Sequence, residues 1–187
     1  SVMGVLAFIS GLFICGKTDT KKVARHKAEY RFIYAKNDFS NDFSFADEAI
    51  PLNDKRINQK LRKSLVRTSY SHIQSNVLQE EAIKLFPIIE PILKANGIPE
   101  DFKYMPLVEA GLKSGVSKRG AAGWWQFMPG TARTYGLKVG HGRDERYHIR
   151  KSTIAACKYL NELHNEFNSW TLAAAAYNIG EIKMAKA

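Results

Sequence analysis

The sequence predicts an all-α fold, on three observations. Apolar residues recur at helical spacing in several segments, no segment keeps the alternation of a half-buried strand, and neither an Asn-Gly hairpin turn nor an internal repeat occurs. With 187 residues and 45% hydrophobic composition, the chain has room for one ordinary domain with a real core plus a short extra segment. The same numbers exclude disordered and fibrous classes.

Residues Val2 to Cys15 form an apolar run, VMGVLAFISGLFIC, too short to span a membrane as a helix but suited to the core of a signal peptide. We read 1–16 as a signal peptide or membrane anchor, hence an exported protein of the periplasm or cell envelope. The chain opens on Ser1, so a basic segment is expected upstream of this run. Cys15 admits lipidation as a further reading, although Leu12, Phe13 and Ile14 are larger than the residues such signals use. Residues 17–54 read as a basic and polar linker. Between Lys17 and Lys36 stand seven basic residues against Asp19 and Glu29, half of the formal net charge of +10. That charge predicts attraction to polyanions in general, and without a nucleic-acid-binding motif we read no nucleic-acid partner from it.

The helical domain is expected over 55–187. Ile57, Leu61, Leu65 and Val66 share one face of a first helix, Lys55 to Thr68. Leu78, Ala82, Leu85, Ile89, Ile92 and Leu93 mark a second that stops at Asn96-Gly97, with Pro87 and Pro91 expected to kink or divide it. Pro99, Glu100 and Asp101 open a third, carrying Phe102, Tyr104, Leu107 and Val108 and running out near Gly111. After a short helical segment ending near Tyr135, Arg150 to Phe167 gives the longest uninterrupted pattern, and Trp170 to Asn178 a short Ala-rich buried helix. Cys157 falls on the apolar face of the former with Ala156, Leu160, Leu163 and Phe167, and reads as a small core residue. Two isolated cysteines exclude a cysteine-based metal site, and no cofactor is implied.

Three places carry chemistry. Glu109 is an acid between apolar Val108 and Ala110 at a helix C-terminus, where the dipole and burial both favour its neutral form; by periodicity alone it reads equally as a salt-bridged or capping glutamate. Gln126 is an amide inside Trp124-Trp125-Gln126-Phe127, a mixture suited to a sugar's apolar faces and polar rim, or to a satisfied core glutamine. Tyr177 and Asn178 close the run Ala173 to Ala176.

Taken in order, VEAGLKSGVSKRGAAGWWQFMPGTA and AAAAYNIG resemble the soluble-lytic-transglycosylase (SLT) domain, a lysozyme-like, goose-type fold; DERYHIRKSTIAACKYL between them is similar to membrane-bound lytic transglycosylases of the D type. The resemblance covers about 86–181. It implies that Glu109 is the catalytic acid/base, that Ser117 lies near the scissile sugar and that Gly123 lines the cleft floor. It further implies that Gln126 and Met128 contact the glycan, and that Tyr177 and Asn178 face Glu109 across the groove. The implied activity is a lyase reaction on peptidoglycan: cleavage of the β-1,4 bond between N-acetylmuramic acid and N-acetylglucosamine, with a 1,6-anhydro product. For that, Glu109 must be protonated near neutral pH, its pKa raised from about 4.3 toward roughly 6 by desolvation. A lysozyme-like hydrolase and a non-catalytic peptidoglycan-binding scaffold are the alternatives. Ala110 stands where the family has Ser, and Lys118 where it often has Pro, which removes one hydroxyl beside the acid and predicts a less rigid turn. Ala187 comes seven residues after Gly180, where family members usually continue with helices that help close the groove, so either a fragment or a missing C-terminal wall is expected.

Overall fold

The computed structural model describes residues 43–61, 72–110, 116–140 and 142–179, the side chains of 72–79, 108–110 and 179 excepted. The expected leader over 1–16, the basic run, Cys15 and the end of the chain lie outside the described residues. The chain divides into two compact units at 71/72, each taken by itself below.

In the first unit, β1 (Ser44–Phe45) pairs antiparallel with β2 (Glu48–Ala49) around Ala46-Asp47, both residues with positive φ (53° and 63°). That is the backbone of a two-residue turn whose twist matches the strands, built here without the expected Gly or Asn. The chain then enters a helical stretch, α1, over 55–61. Asp54 caps it, its carboxylate accepting from the amides of Arg56 (2.7 Å) and Ile57 (3.3 Å). Ile50, Leu52 and Leu61 form a small core, with Phe43 and Ile57 against it. A segment read as linker thus contributes a hairpin and part of a core.

The second unit begins with α2 (His72–Ala95), at 24 residues longer than the helix expected to be longest. Pro87 and Pro91 do not divide it. Leu85, Ile89 and Leu93, at i, i+4 spacing, are 5%, 0% and 1% exposed, whereas Ile83, Pro87 and Pro91 share the solvent face. Each proline removes one helical donor, and the carbonyl four residues earlier is left facing water. The helix ends as Asn96-Gly97 predicts: Gly97 takes φ +69°, its amide donates to Lys94, and that of Ile98 reaches back to Leu93.

Beyond Pro99 the expected third helix is two pieces: a 3-10 turn over Glu100–Tyr104, then α3 (Met105–Ala110). Pro106 decides the junction, since it fits the first turn of a new helix better than the interior of a continuing one. α4 (Pro129–Thr134) likewise begins on proline. A second unforeseen hairpin pairs β3 (Val139–Gly140) with β4 (Arg143–Asp144), with Gly140 and Gly142 at positive φ. A 3-10 turn, Glu145–Tyr147, leads into α5 (Ile149–Phe167), which packs against α2 and α6 (Trp170–Ile179).

Asn168, in the left-handed region at φ +49°, ends α5 with its amide on the His164 carbonyl, and the Ser169 hydroxyl accepts from Leu172 in the first turn of α6. Ala173 and Ala176 are fully buried against Leu163, with Tyr159, Phe167, Trp170 and Tyr177 around them. Small side chains there let α6 lie close to α5 and bring Tyr177 to the end of their seam. Cys157 is buried on α5, and burial pushes its thiol pKa up to about 12. The all-α expectation holds: apart from the two short hairpins and one isolated bridge, the described residues are helices and loops. No helix among the described residues is long and apolar enough to cross a membrane.

Candidate active site

The loop from Ser117 to Met128 is held almost entirely through its own carbonyls. At its start Ser117 closes a turn: its amide donates to the Ala121 carbonyl (2.8 Å), its hydroxyl accepts from the Ala121 amide (3.0 Å), and its carbonyl accepts from Gly120 (2.9 Å). Lys118 and Arg119 lie exposed at the tip. These bonds close the turn without a proline at 118. At its far end Ala122 and Phe127 form a single antiparallel bridge, the Ala122 amide donating to Phe127 (3.1 Å).

Inside that bridge, Gly123 at φ +76° and Gln126 at φ +45° reverse the chain. A glutamine in the left-handed region is strained, and such strain persists only where surrounding contacts over-determine it. Here both the amide (3.1 Å) and Nε2 (2.9 Å) of Gln126 donate to the Gly123 carbonyl. Gly123 is required by the chain itself. A Cβ there would lie 2.0 Å from the Arg146 carbonyl oxygen, so its missing side chain makes room for the 146–147 backbone.

Trp125 is fully buried and tied at two points: its indole N–H donates to Thr153 Oγ1 (3.0 Å), and its carbonyl accepts from the Tyr177 hydroxyl (2.8 Å). Thr153 in turn donates to Ile149 (2.7 Å), so the polar atoms of this buried contact are all paired. The Tyr177 ring packs edge-on against Trp125 and Phe127 at centroid distances of 6.4 and 6.0 Å, and lies tilted against Tyr159 at 5.2 Å. Tyr159 stacks on Tyr135 at 4.9 Å, whose hydroxyl reaches Glu162 (2.8 Å). Asn178 turns its amide back onto the Ala174 carbonyl (3.1 Å), and Met128 is 43% exposed just before α4.

The structure therefore gathers Gly123, Gln126 and Tyr177 around Trp125. Ser117 and Met128 flank the same loop, and Asn178 neighbours Tyr177 on α6. Glu109 lies on α3, one residue before Ala110; its side chain is outside the described residues.

Two carboxylates just before α5 are committed elsewhere. Asp144 caps the turn before α5 and pairs with the Arg146 guanidinium (2.7 Å), whose hydrogen bonds hold its carboxyl below the ordinary range. Glu145 accepts from Lys151 (2.6 Å) and from the Lys138 amide (2.9 Å), contacts that bring its pKa down to about 2. These partners favour the ionised form of both carboxyls, which disfavours either as a proton donor near neutral pH.

Sequence reasoning missed Arg146 and Thr153, the residues that fix the loop. The only signal was an acid and a base two apart in Asp144-Glu145-Arg146.

The family model of the Transglycosylase SLT domain matches residues 86–187, more than half of the chain. The chain belongs to the SLT transglycosylase family. Its loop 117–128 and helix α6 both fall within the SLT match. Over 140 residues it is 36% identical to membrane-bound lytic murein transglycosylase D of Escherichia coli K12, and equally to that of E. coli O6:H1 strain CFT073. These alignments take in 74% of this SLT chain and 30% of either relative, so the chain spans under a third of their length.

Proposed function

We propose that this chain is a peptidoglycan lytic transglycosylase, cleaving the β-1,4 bond between N-acetylmuramic acid and N-acetylglucosamine and leaving a 1,6-anhydromuramic acid end. Family membership gives the reaction class. Glu109 is taken as the acid from its place in the family's motif, and the pairing of Asp144 and Glu145 with Arg146 and Lys151 supports that choice against these two.

Glu109 first protonates the glycosidic oxygen as the bond to the leaving sugar breaks. As carboxylate it then takes the proton of the muramic acid C6 hydroxyl, which attacks its own anomeric carbon. The acid is regenerated, no water is consumed, and intramolecular attack gains from proximity. Tyr177 suits this cycle. Its hydroxyl is fixed by donation to the Trp125 carbonyl, and the family resemblance sets it across the groove from Glu109 as an orienting group. Ser117, Gln126, Met128 and Asn178 supply glycan contacts, and Gly123 the turn that presents Gln126. The substrate places the protein in the cell envelope, with 1–16 as export signal or membrane anchor.

Digestion of purified sacculi with analysis of the products by mass spectrometry tests this reading. Anhydro-ended fragments, one water lighter than hydrolysis products, are expected. Reducing, hydrated ends alone would instead identify a lysozyme-like hydrolase, and binding without release a non-catalytic scaffold.

A further inference from the structure

We propose that Arg146 is a positioning residue for glycan binding: from outside the loop, its side chain and backbone clamp residues 120–127 in the shape that presents Gln126. The inference rests on the peptidoglycan reading above.

Its guanidinium is 7% exposed and makes contacts on two sides. On one, Nη1 donates to the carbonyls of Gly120 (2.8 Å) and Phe127 (3.0 Å), the two ends of the loop. On the other, Nε and Nη2 meet the Asp144 carboxylate at 2.9 and 2.7 Å, a fork that fixes the plane of the group and the direction of Nη1. The backbone adds a third point, since the Arg146 carbonyl occupies the space beside Gly123 where a side chain would stand. Mouth and apex of the loop are therefore set by one residue, which itself is set by Asp144. Between those points sits Gln126 in its left-handed conformation. The Gly123 carbonyl holds that side chain only while Gly123 stays in place.

A buried guanidinium could be read as a stabilising ion pair and nothing more. The two readings differ in what a lysine does. Its ammonium can pair with Asp144, but a point charge without the planar fork cannot also hold two carbonyls in fixed directions. The loop should then loosen while the helices stay.

The test uses the full chain with Arg146→Lys and Gln126→Ala, singly and together. Readouts are circular dichroism, amide hydrogen exchange resolved by peptide, and affinity for purified sacculi by sedimentation. For folded Arg146→Lys we expect exchange over 120–128 to quicken about tenfold or more, with Ile149–Phe167 unchanged. Affinity should weaken about tenfold in the wild-type background but under about twofold where Gln126 is already gone, because coupled residues are non-additive. Equal weakening in both backgrounds, unchanged loop exchange, or equal quickening of loop and helix would each overturn the proposal. Should Arg146→Lys fail to fold, Asp144→Asn keeps the arginine while releasing its fork, and must shift exchange and affinity in the same direction. A wild-type chain that does not bind sacculi defeats the peptidoglycan reading instead, and the exchange data still report whether Arg146 holds the loop.

Discussion

The Tyr177 hydroxyl donates to the Trp125 carbonyl at 2.8 Å, joining positions 52 residues apart. This bond ties α6 to the loop that Arg146 also holds. Replacing Tyr177 by Phe removes the donor and leaves the carbonyl short of a partner, a loss of about 1 kcal/mol of stability. We expect a small fall in melting temperature and a partial loss of sacculus digestion. A loss as complete as that from removing the acid would mean that Tyr177 takes part in the proton transfer itself and does more than orient Glu109.

Glu109→Gln keeps the shape of the side chain but cannot donate a proton to a leaving oxygen. Activity on sacculi should fall by the roughly 10² to 10⁴ of general acid catalysis, with thermal unfolding no lower than wild type. Retention of more than about a tenth of the activity would end the single-acid mechanism.

Gly123→Ala sets a methyl against the Arg146 carbonyl and strains φ +76°. The backbone must shift, and we expect at least about 3 kcal/mol of destabilisation, read as a drop of roughly 10 °C or more in a thermal scan. A variant as stable as wild type would show that the 146–147 segment does not press on Gly123.

Glu145 makes stability depend on acid. Its folded pKa, about 2, lies below the ordinary value of 4.5, so its contribution is full above the latter and disappears as pH falls from about 4.5 through about 2. Glu145→Gln should flatten the stability profile over that window in urea titrations at stepped pH, and an unchanged profile would assign the loss to other carboxylates.

With its thiol pKa pushed up to about 12, Cys157 should resist iodoacetamide near neutral pH and react once the chain is unfolded in urea. Peptide mapping of the alkylated residue checks this; modification in the native state would mean that α5 opens locally.

The helices were legible where one local signal decided them. Asn96-Gly97 stops α2 and the apolar stripe of α5 runs through Cys157, because capping and periodicity act within a few residues. Pro87 and Pro91 do not divide α2, because both stand on its solvent face, and which face they occupy is a tertiary fact. Both hairpins escaped notice, the first because Ala46 and Asp47 adopt positive φ without the usual residues. The order of Glu109, Gln126 and Tyr177 could be seen from motifs. Arg146 could not, since its partners Gly120 and Phe127 are backbone carbonyls, which leave no trace in side-chain chemistry.

The stripe of Ile83, Pro87 and Pro91 has a further meaning for assembly. Pro87 and Pro91 leave the carbonyls of Ile83 and Pro87 without their helical donors, and on an exposed face water takes that place. An apolar partner seated there would strip the water and offer nothing in return. The loss of that water weighs against the gain from covering the exposed Ile83 side chain, so a surface that brings its own hydrogen-bond donors is favoured on this face of α2.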